Sequence, residues 1–342
     1  MESIHGGDIY RNRVRTDFSV NVNPLGMPKA VKDALREAAD ACEKYPDIAA
    51  ERLKHAVSAM AAVSEEYLLF GNGASELFMA AVHAIRPKKT VIPVPSFYGY
   101  EYAANAADGE IIYYSMKEET GFLPGENFTE WLPGDTELLF LANPNNPTGK
   151  LLNKAYLREL FRYCKEKNIY VVLDECFMDF CGRDASMLPE TGQYENLLLV
   201  RAFTKIFAIP GVRLGYMVCS SAPLLAKVGR QIPEWNLSTF AQEAGVVCAA
   251  QTAFIEQSVA YVKEERCFLE DGLRRLGIEV FPGEANFLFL RSEKFLYERL
   301  LERGVLIRDC QNFRGLSKGY YRIAVKNREE NEALLNMIGA LN

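Results

Sequence analysis

Between residues 66 and 219, short apolar runs alternate with stretches whose apolar positions recur every three or four residues. The runs EYLLF (66–70), TVIPV (90–94), EIIYYS (110–115), ELLFLA (137–142), IYVVLD (169–174), NLLLVR (196–201) and LGYMVC (214–219) read as strands. Their near-continuous apolar character, with helices between them, predicts a mostly parallel seven-stranded sheet covered on both faces, an α/β architecture. One connecting helix is explicit: Asn153 caps it, and Leu157, Leu160, Phe161 and Cys164 recur at helical spacing. Residues 237–276 carry no proline and predict one long helical stretch. Beyond it, IEVF, NFLFLR, VLIR and YYRIAV read as strands and 294–303 and 328–341 as helices, a smaller α+β unit. The expected organisation is an arm (1–28) joining a small domain (277–342), a large domain (29–236) and a connecting helical stretch (237–276).

Charge narrows the function classes. Lys and Arg number 39 against 45 Asp and Glu, a net charge of -6 with no basic run, which excludes an electrostatic grip on nucleic acid or an anionic membrane. Any anion must therefore be held by a local site. No apolar run approaches the roughly 18 residues of a membrane span, and the first twenty residues lack a signal-peptide core. Eight cysteines without a Cys-x-x-Cys fit reduced thiols, so the expectation is a cytoplasmic protein. His5, His55 and His83 show no metal-ligand spacing, and no metal site is expected.

Four segments carry chemistry. Phe70-Gly71-Asn72-Gly73-Ala74-Ser75-Glu76 runs from a strand into a helix, whose first N–H groups favour a phosphate. Glu76 stands where a dinucleotide fingerprint needs its third glycine, and no acid ends the next strand, which argues against a nicotinamide cofactor. Asn143-Pro144-Asn145-Asn146-Pro147-Thr148-Gly149 fixes an abrupt turn at the carboxyl end of a strand, the edge where open α/β sheets bind ligands. Asp174-Glu175 ends the next strand, where a buried carboxylate requires a cation or a protonated ring nitrogen. Last, Thr204-Lys205 lies in apolar surroundings eight residues before Arg213. Desolvation lowers a lysine's pKa and makes its amine a candidate Schiff-base nucleophile, while Thr204 and Arg213 suit a phosphate.

Together, GNGASE, NPNNPTG, the Asp-Glu pair and T-K-x(7)-R-x-G resemble the fold-type I pyridoxal-phosphate enzymes of the aminotransferase class I/II superfamily, over about residues 17 to 335. The resemblance implies pyridoxal 5'-phosphate as cofactor, Lys205 as its Schiff-base lysine and Asp174 as the partner of its ring nitrogen. It further implies that Asn146 donates to the phenolic oxygen and that Phe97 stacks on the ring. Ala74, Ser75, Thr204 and Arg213 take the cofactor phosphate, and Tyr45 reaches it from the other subunit of a homodimer. Two positions depart from the common pattern. Phe177 replaces a tyrosine that touches the phenolic oxygen, and Ala202 replaces a Ser or Thr that binds phosphate.

Within the superfamily the chain is similar to two enzyme families, the L-threonine-O-3-phosphate decarboxylases of cobalamin biosynthesis and the histidinol-phosphate aminotransferases. His5-Gly6-Gly7, the run NVNPLGMP (21–28), the phenylalanine in DECFMDF and the Arg308/Arg322 spacing lean to the first, a lyase; the second, a transferase, is the alternative. That likeness places His5, Gly6, Asn23, Arg308 and Arg322 around a small phosphorylated amine or amino acid. Each planar guanidinium can grip a carboxylate or phosphate with two N–H groups.

Overall fold

A computed structural model describes residues 5–341 of the chain. Its strands are β1 (Thr16–Asp17), β2 (Leu68–Gly71), β3 (Lys89–Val94), β4 (Glu110–Ser115), β5 (Leu138–Ala142), β6 (Tyr170–Asp174), β7 (Leu197–Ala202), β8 (Gly215–Val218), β9 (Glu279–Phe281), β10 (Phe287–Arg291), β11 (Val305–Leu306), β12 (Arg308–Asp309) and β13 (Tyr320–Ala324). Seven of these form one sheet in the order β2-β8-β7-β6-β5-β3-β4, parallel except that β8 runs against both neighbours. All seven runs read from the apolar pattern are present.

The sheet's residues alternate between two cores. Leu139, Leu141, Val171 and Leu173 face a layer that includes the helices at Glu51–Ala61, Lys154–Glu166 and Thr239–Ala249, while Leu138, Phe140 and Val172 face the helices at Ala74–Ile85 and Tyr98–Ala104. Period-two alternation in which both sets are apolar is the signature of a sheet buried on both sides. Strand order reverses between β3 and β5, because β4 lies outside β3 while β6 and β7 continue on the far side of β5. At such a reversal the loops leaving the strand ends diverge and open a crevice.

A second sheet, β12-β13-β10-β9, is antiparallel and packs Leu288, Leu290 and Ile323 against Leu269, Leu273, Leu334 and Ile338 from two helices. The amino-terminal arm joins this unit: β1 pairs in parallel with β11, and Phe18 is 1% exposed within its core. The Phe18 amide donates to Leu306 at 2.7 Å and its carbonyl accepts from Ala324 at 2.8 Å. Among the described residues no helix is long and apolar enough to cross a membrane.

Two expectations need correction. The stretch 237–276 is two helices, Thr239–Ala249 and Thr252–Arg275, broken at Ala250-Gln251. The first buries Ala241, Ala244 and Cys248 beside the large sheet; the second turns Leu269 and Leu273 toward the small one. One straight rod cannot serve both burial directions. The run VLIR also divides, Val305-Leu306 pairing with the arm and Arg308-Asp309 with β13.

Phe18→Ala should destabilise the chain by about 3–5 kcal/mol, the usual range for a buried Phe truncation. Urea unfolding measures this, and a loss below about 1 kcal/mol would show that the arm does not hold the small sheet.

Candidate active site

A cavity of about 640 Å³ opens at the carboxyl ends of the parallel strands and is closed by the small sheet and the arm. The segment before the helix Ala74–Ile85 forms one wall. Gly73 has φ +77° and no side chain caps the helix start, while Ala74 and Ser75 line the cavity. Glu76 now has a reason: its carboxylate accepts from the Asn72 amide at 2.6 Å and from Asn236 Nδ2 at 2.7 Å, locking the turn. The guanidinium of Arg213 lies against Gly73, where a Cβ would stand 2.4 Å from Nη2. A Cβ on Gly215 would meet the Ala74 amide nitrogen at 2.9 Å, so this glycine lets the helix start approach β8. Uncapped amides, the Thr204 side chain and Arg213 thus border one end of the cavity, an arrangement that suits a phosphate.

At its floor Lys205 stands in the short helix Phe203–Ile206 that follows β7. Burial, with the Arg322 charge second, lowers its amine from the usual 10.5 to about 8. Asp174, at the end of β6, accepts from the Tyr100 hydroxyl at 2.5 Å and from the Cys176 amide at 2.8 Å. Burial raises its carboxyl above the ordinary range against the pull of those donors and of Lys205. A carboxylate so placed calls for a further positive partner. Tyr100 also holds Phe97, their rings edge-on at 5.7 Å. Gly99 is small because a Cβ there would stand 2.3 Å from the Phe97 ring. Phe177 lies with its ring centre 5.7 Å from Lys205 Nζ and edge-on to Phe287. Glu175, by contrast, is fully buried away from the cavity, accepting from Ser186 and the Met187 amide beside Arg201.

The opposite end is cationic. Arg308 and Arg322 are direct cross-strand neighbours on β12 and β13, and both are buried. Arg322 donates to Asn146 Oδ1 at 2.5 Å and to the Ser19 carbonyl at 2.7 Å, and its Nε is buried without a hydrogen bond. The first contact commits the carbonyl end of Asn146, so that its remaining valence is the Nδ2 donor. Arg308 donates to Asn312 and lies over Phe313. Burial lowers the pKa of both arginines, Arg322 to about 10. His5 lines this end, its ring 5.7 Å from Phe97, and burial followed by the two arginine charges lowers its pKa. The glycines after it explain how it arrives: Gly6 fits against the Ser19 backbone, where a Cβ would be 2.3 Å from the carbonyl oxygen, and the Gly7 amide donates to Ser19 Oγ.

The cavity therefore brings together His5, Gly6, Ala74, Ser75, Phe97 and Asn146 with Asp174, Phe177, Thr204, Lys205, Arg213, Arg308 and Arg322. Asn23 is a correction. It is buried outside the lining, its Nδ2 donating to the Ile206 carbonyl and Ser258 Oγ and its own amide to the Lys205 carbonyl, so it steadies the lysine loop and has no donor left for a ligand. The asparagine in the wall is Asn21, whose Oδ1 is buried without a hydrogen bond. Tyr45 lies outside the cavity, 82% exposed with its ring 5.0 Å from Trp235. Tyr100 and Cys176 were not anticipated, Tyr100 lying one helical turn after Phe97; Asn21 stood in the run NVNPLGMP but was not among the expected site residues.

Residues 14–338 match the family described as Aminotransferase class I and II. The chain is 35% identical to the threonine-phosphate decarboxylase of Salmonella typhimurium, across 98% of this chain and 95% of that one. It superposes on a histidinol-phosphate aminotransferase from Clostridium acetobutylicum with a TM-score of 0.89 at 31% identity, covering 95% of this chain and 98% of the other. An L-threonine-O-3-phosphate decarboxylase structure from Porphyromonas gingivalis gives 0.85 at 26% identity, covering 94% and 98%.

With its pKa near 8, the Lys205 amine should react with an aldehyde at a rate that rises with pH and levels off above about 8. Borohydride trapping with mass spectrometry of the Lys205 peptide gives the profile. A rate still climbing toward 10.5, as for a solvated lysine, would contradict the desolvated site.

Proposed function

Because this chain belongs to the aminotransferase class I and II family, whose enzymes depend on pyridoxal 5'-phosphate, we propose that it binds this cofactor on Lys205 and decarboxylates L-threonine O-3-phosphate to 1-amino-2-propanol O-2-phosphate. The residues present fit the cofactor. Ala74, Ser75, Thr204 and Arg213 suit its phosphate; Asp174 supplies the carboxylate for its ring nitrogen; Asn146 Nδ2 is a donor for its phenolic oxygen; and Phe97 and Phe177 are aromatic walls for its ring. When bound, the cofactor supplies an electron sink for the pair left at the substrate's Cα.

The observation that carries the substrate reading is the cross-strand pair Arg308 and Arg322 with His5 beside it, at the end of the cavity away from Arg213. Two guanidiniums and an imidazole suit a molecule with two anionic groups, a carboxylate and a phosphate. Gripping both fixes the substrate's rotation about the Cα–N bond, and this decides whether the carboxylate or the hydrogen on Cα is aligned for cleavage. After carbon dioxide leaves, the Lys205 ammonium is the group able to return a proton to Cα. Tyr45, Ile48 and Trp235 form an exposed apolar surface that a second copy of the chain would cover, bringing Tyr45 to the partner's phosphate end. The structural likeness to a histidinol-phosphate aminotransferase supports a second reading, transamination of that phosphorylated amine.

Incubation with L-threonine O-3-phosphate and no keto acid should release carbon dioxide. Turnover confined to histidinol phosphate plus 2-oxoglutarate would establish the second reading instead. Phe177 brings no hydroxyl to the phenolic oxygen, so the Lys205–cofactor chromophore should titrate at higher pH than in Phe177→Tyr, where a new hydrogen bond favours the deprotonated form. Visible-absorbance titrations that coincide would refute that role.

A further inference from the structure

The cavity mouth is bridged by an ion pair that the chemistry above does not use. Arg314, in the loop between β12 and β13, donates from Nη2 to Glu101 Oε1 at 2.8 Å and from Nε to Oε2 at 3.2 Å. Glu101 belongs to the helix Tyr98–Ala104, which packs on the large sheet, and both side chains line the cavity. The guanidinium also lies 4.1 Å from the ring centre of Tyr113 on the edge strand β4. A small-sheet loop is thus fastened to the large-sheet wall by a two-point fork stacked on an aromatic face. The same loop supplies Asn312 and Phe313, which hold Arg308.

We propose that Glu101 and Arg314 form a clasp that determines specificity by ligand size. Closed, it holds the loop over the mouth and admits short phosphorylated amines; bulkier ones enter only when it opens. The Arg314 side chain is 50% exposed and Glu101 20%, so water and salt screen the pair. The proposal rests on the phosphorylated-amine reading of the cavity and is independent of whether the enzyme decarboxylates.

The test uses the cofactor-loaded enzyme and two amines that lack a carboxylate, phosphoethanolamine and histidinol phosphate, followed by the absorbance change as each displaces Lys205. Both carry one phosphate, so the ratio of their binding rates cancels the common anion effect. Arg314→Ala and Glu101→Gln should each raise the histidinol phosphate to phosphoethanolamine ratio by about 2- to 5-fold, with the small amine itself little changed. The double variant should match the single ones, because either change opens the clasp. Added salt should raise the ratio in the parent and leave it unchanged in the variants. An unchanged ratio, additive single effects, or a salt response that persists in Arg314→Ala would overturn the proposal. A variant that slowed the small amine as much as the large one would also overturn it, by showing general damage to the site. Failure of decarboxylation alone would show in the parent enzyme's carbon dioxide assay and leave this ratio intact.

Discussion

The structure depends on keeping one amine out of bulk water. Lys205 lies at the floor of a cavity where burial and the positive charge of Arg322 both oppose its protonation, so that near neutral pH a reactive neutral fraction is available. A chain of net charge -6 concentrates Lys205, Arg213, Arg308 and Arg322 around this space and sets few carboxylates against them. The result is a local positive field inside an acidic protein. Such a field favours a small anion that fits inside the cavity.

The sheet makes this possible by geometry alone. Parallel strands end on the same edge, so Asn146 after β5, Asp174 at the end of β6 and Lys205 after β7 converge although they are distant in sequence. The helix Ala74–Ile85 brings its uncapped start to the same edge, and the close approach needs Gly73 and Gly215. The small sheet then lowers two arginines onto the opening, and the arm threads between the two units. Asn23 ties that arm to the lysine loop, Ser19 ties it to Arg322, and Gly6 lets it lie flat enough for His5 to reach the cavity. A segment without a core of its own is therefore part of the site.

Tyr100 links both sides of the cavity floor. Its hydroxyl holds Asp174, its ring meets Phe97 edge-on, and it stacks on Phe140 of β5. The carboxylate and the aromatic wall are positioned by one rigid side chain rather than by two independent ones. Rigid placement of this kind lets a site orient a ligand without ordering itself first.

Much of the molecule was legible in the amino-acid order. Strands buried on both faces must be apolar along their whole length, and turns at strand ends need glycine and proline, so β2 to β8 and the motifs at their ends stand out without coordinates. The departures lie where distant parts of the chain decide. The helix break at Ala250-Gln251 carries no proline or glycine and follows from two separate surfaces that the segment must cover. Asn21 and Asn23 are the same residue type two positions apart in one irregular arm, both buried, and only the contacts of Asn23 with Ile206 and Ser258 set it apart from the cavity wall that Asn21 lines. Glu101 and Arg314 meet across 213 positions, and Gly6 fits against the Ser19 backbone where the arm turns back on itself. Local pattern records what each segment must bury. Which polar group is left to face a ligand depends on who else has already taken its hydrogen bonds, and that is settled only when the chain is folded.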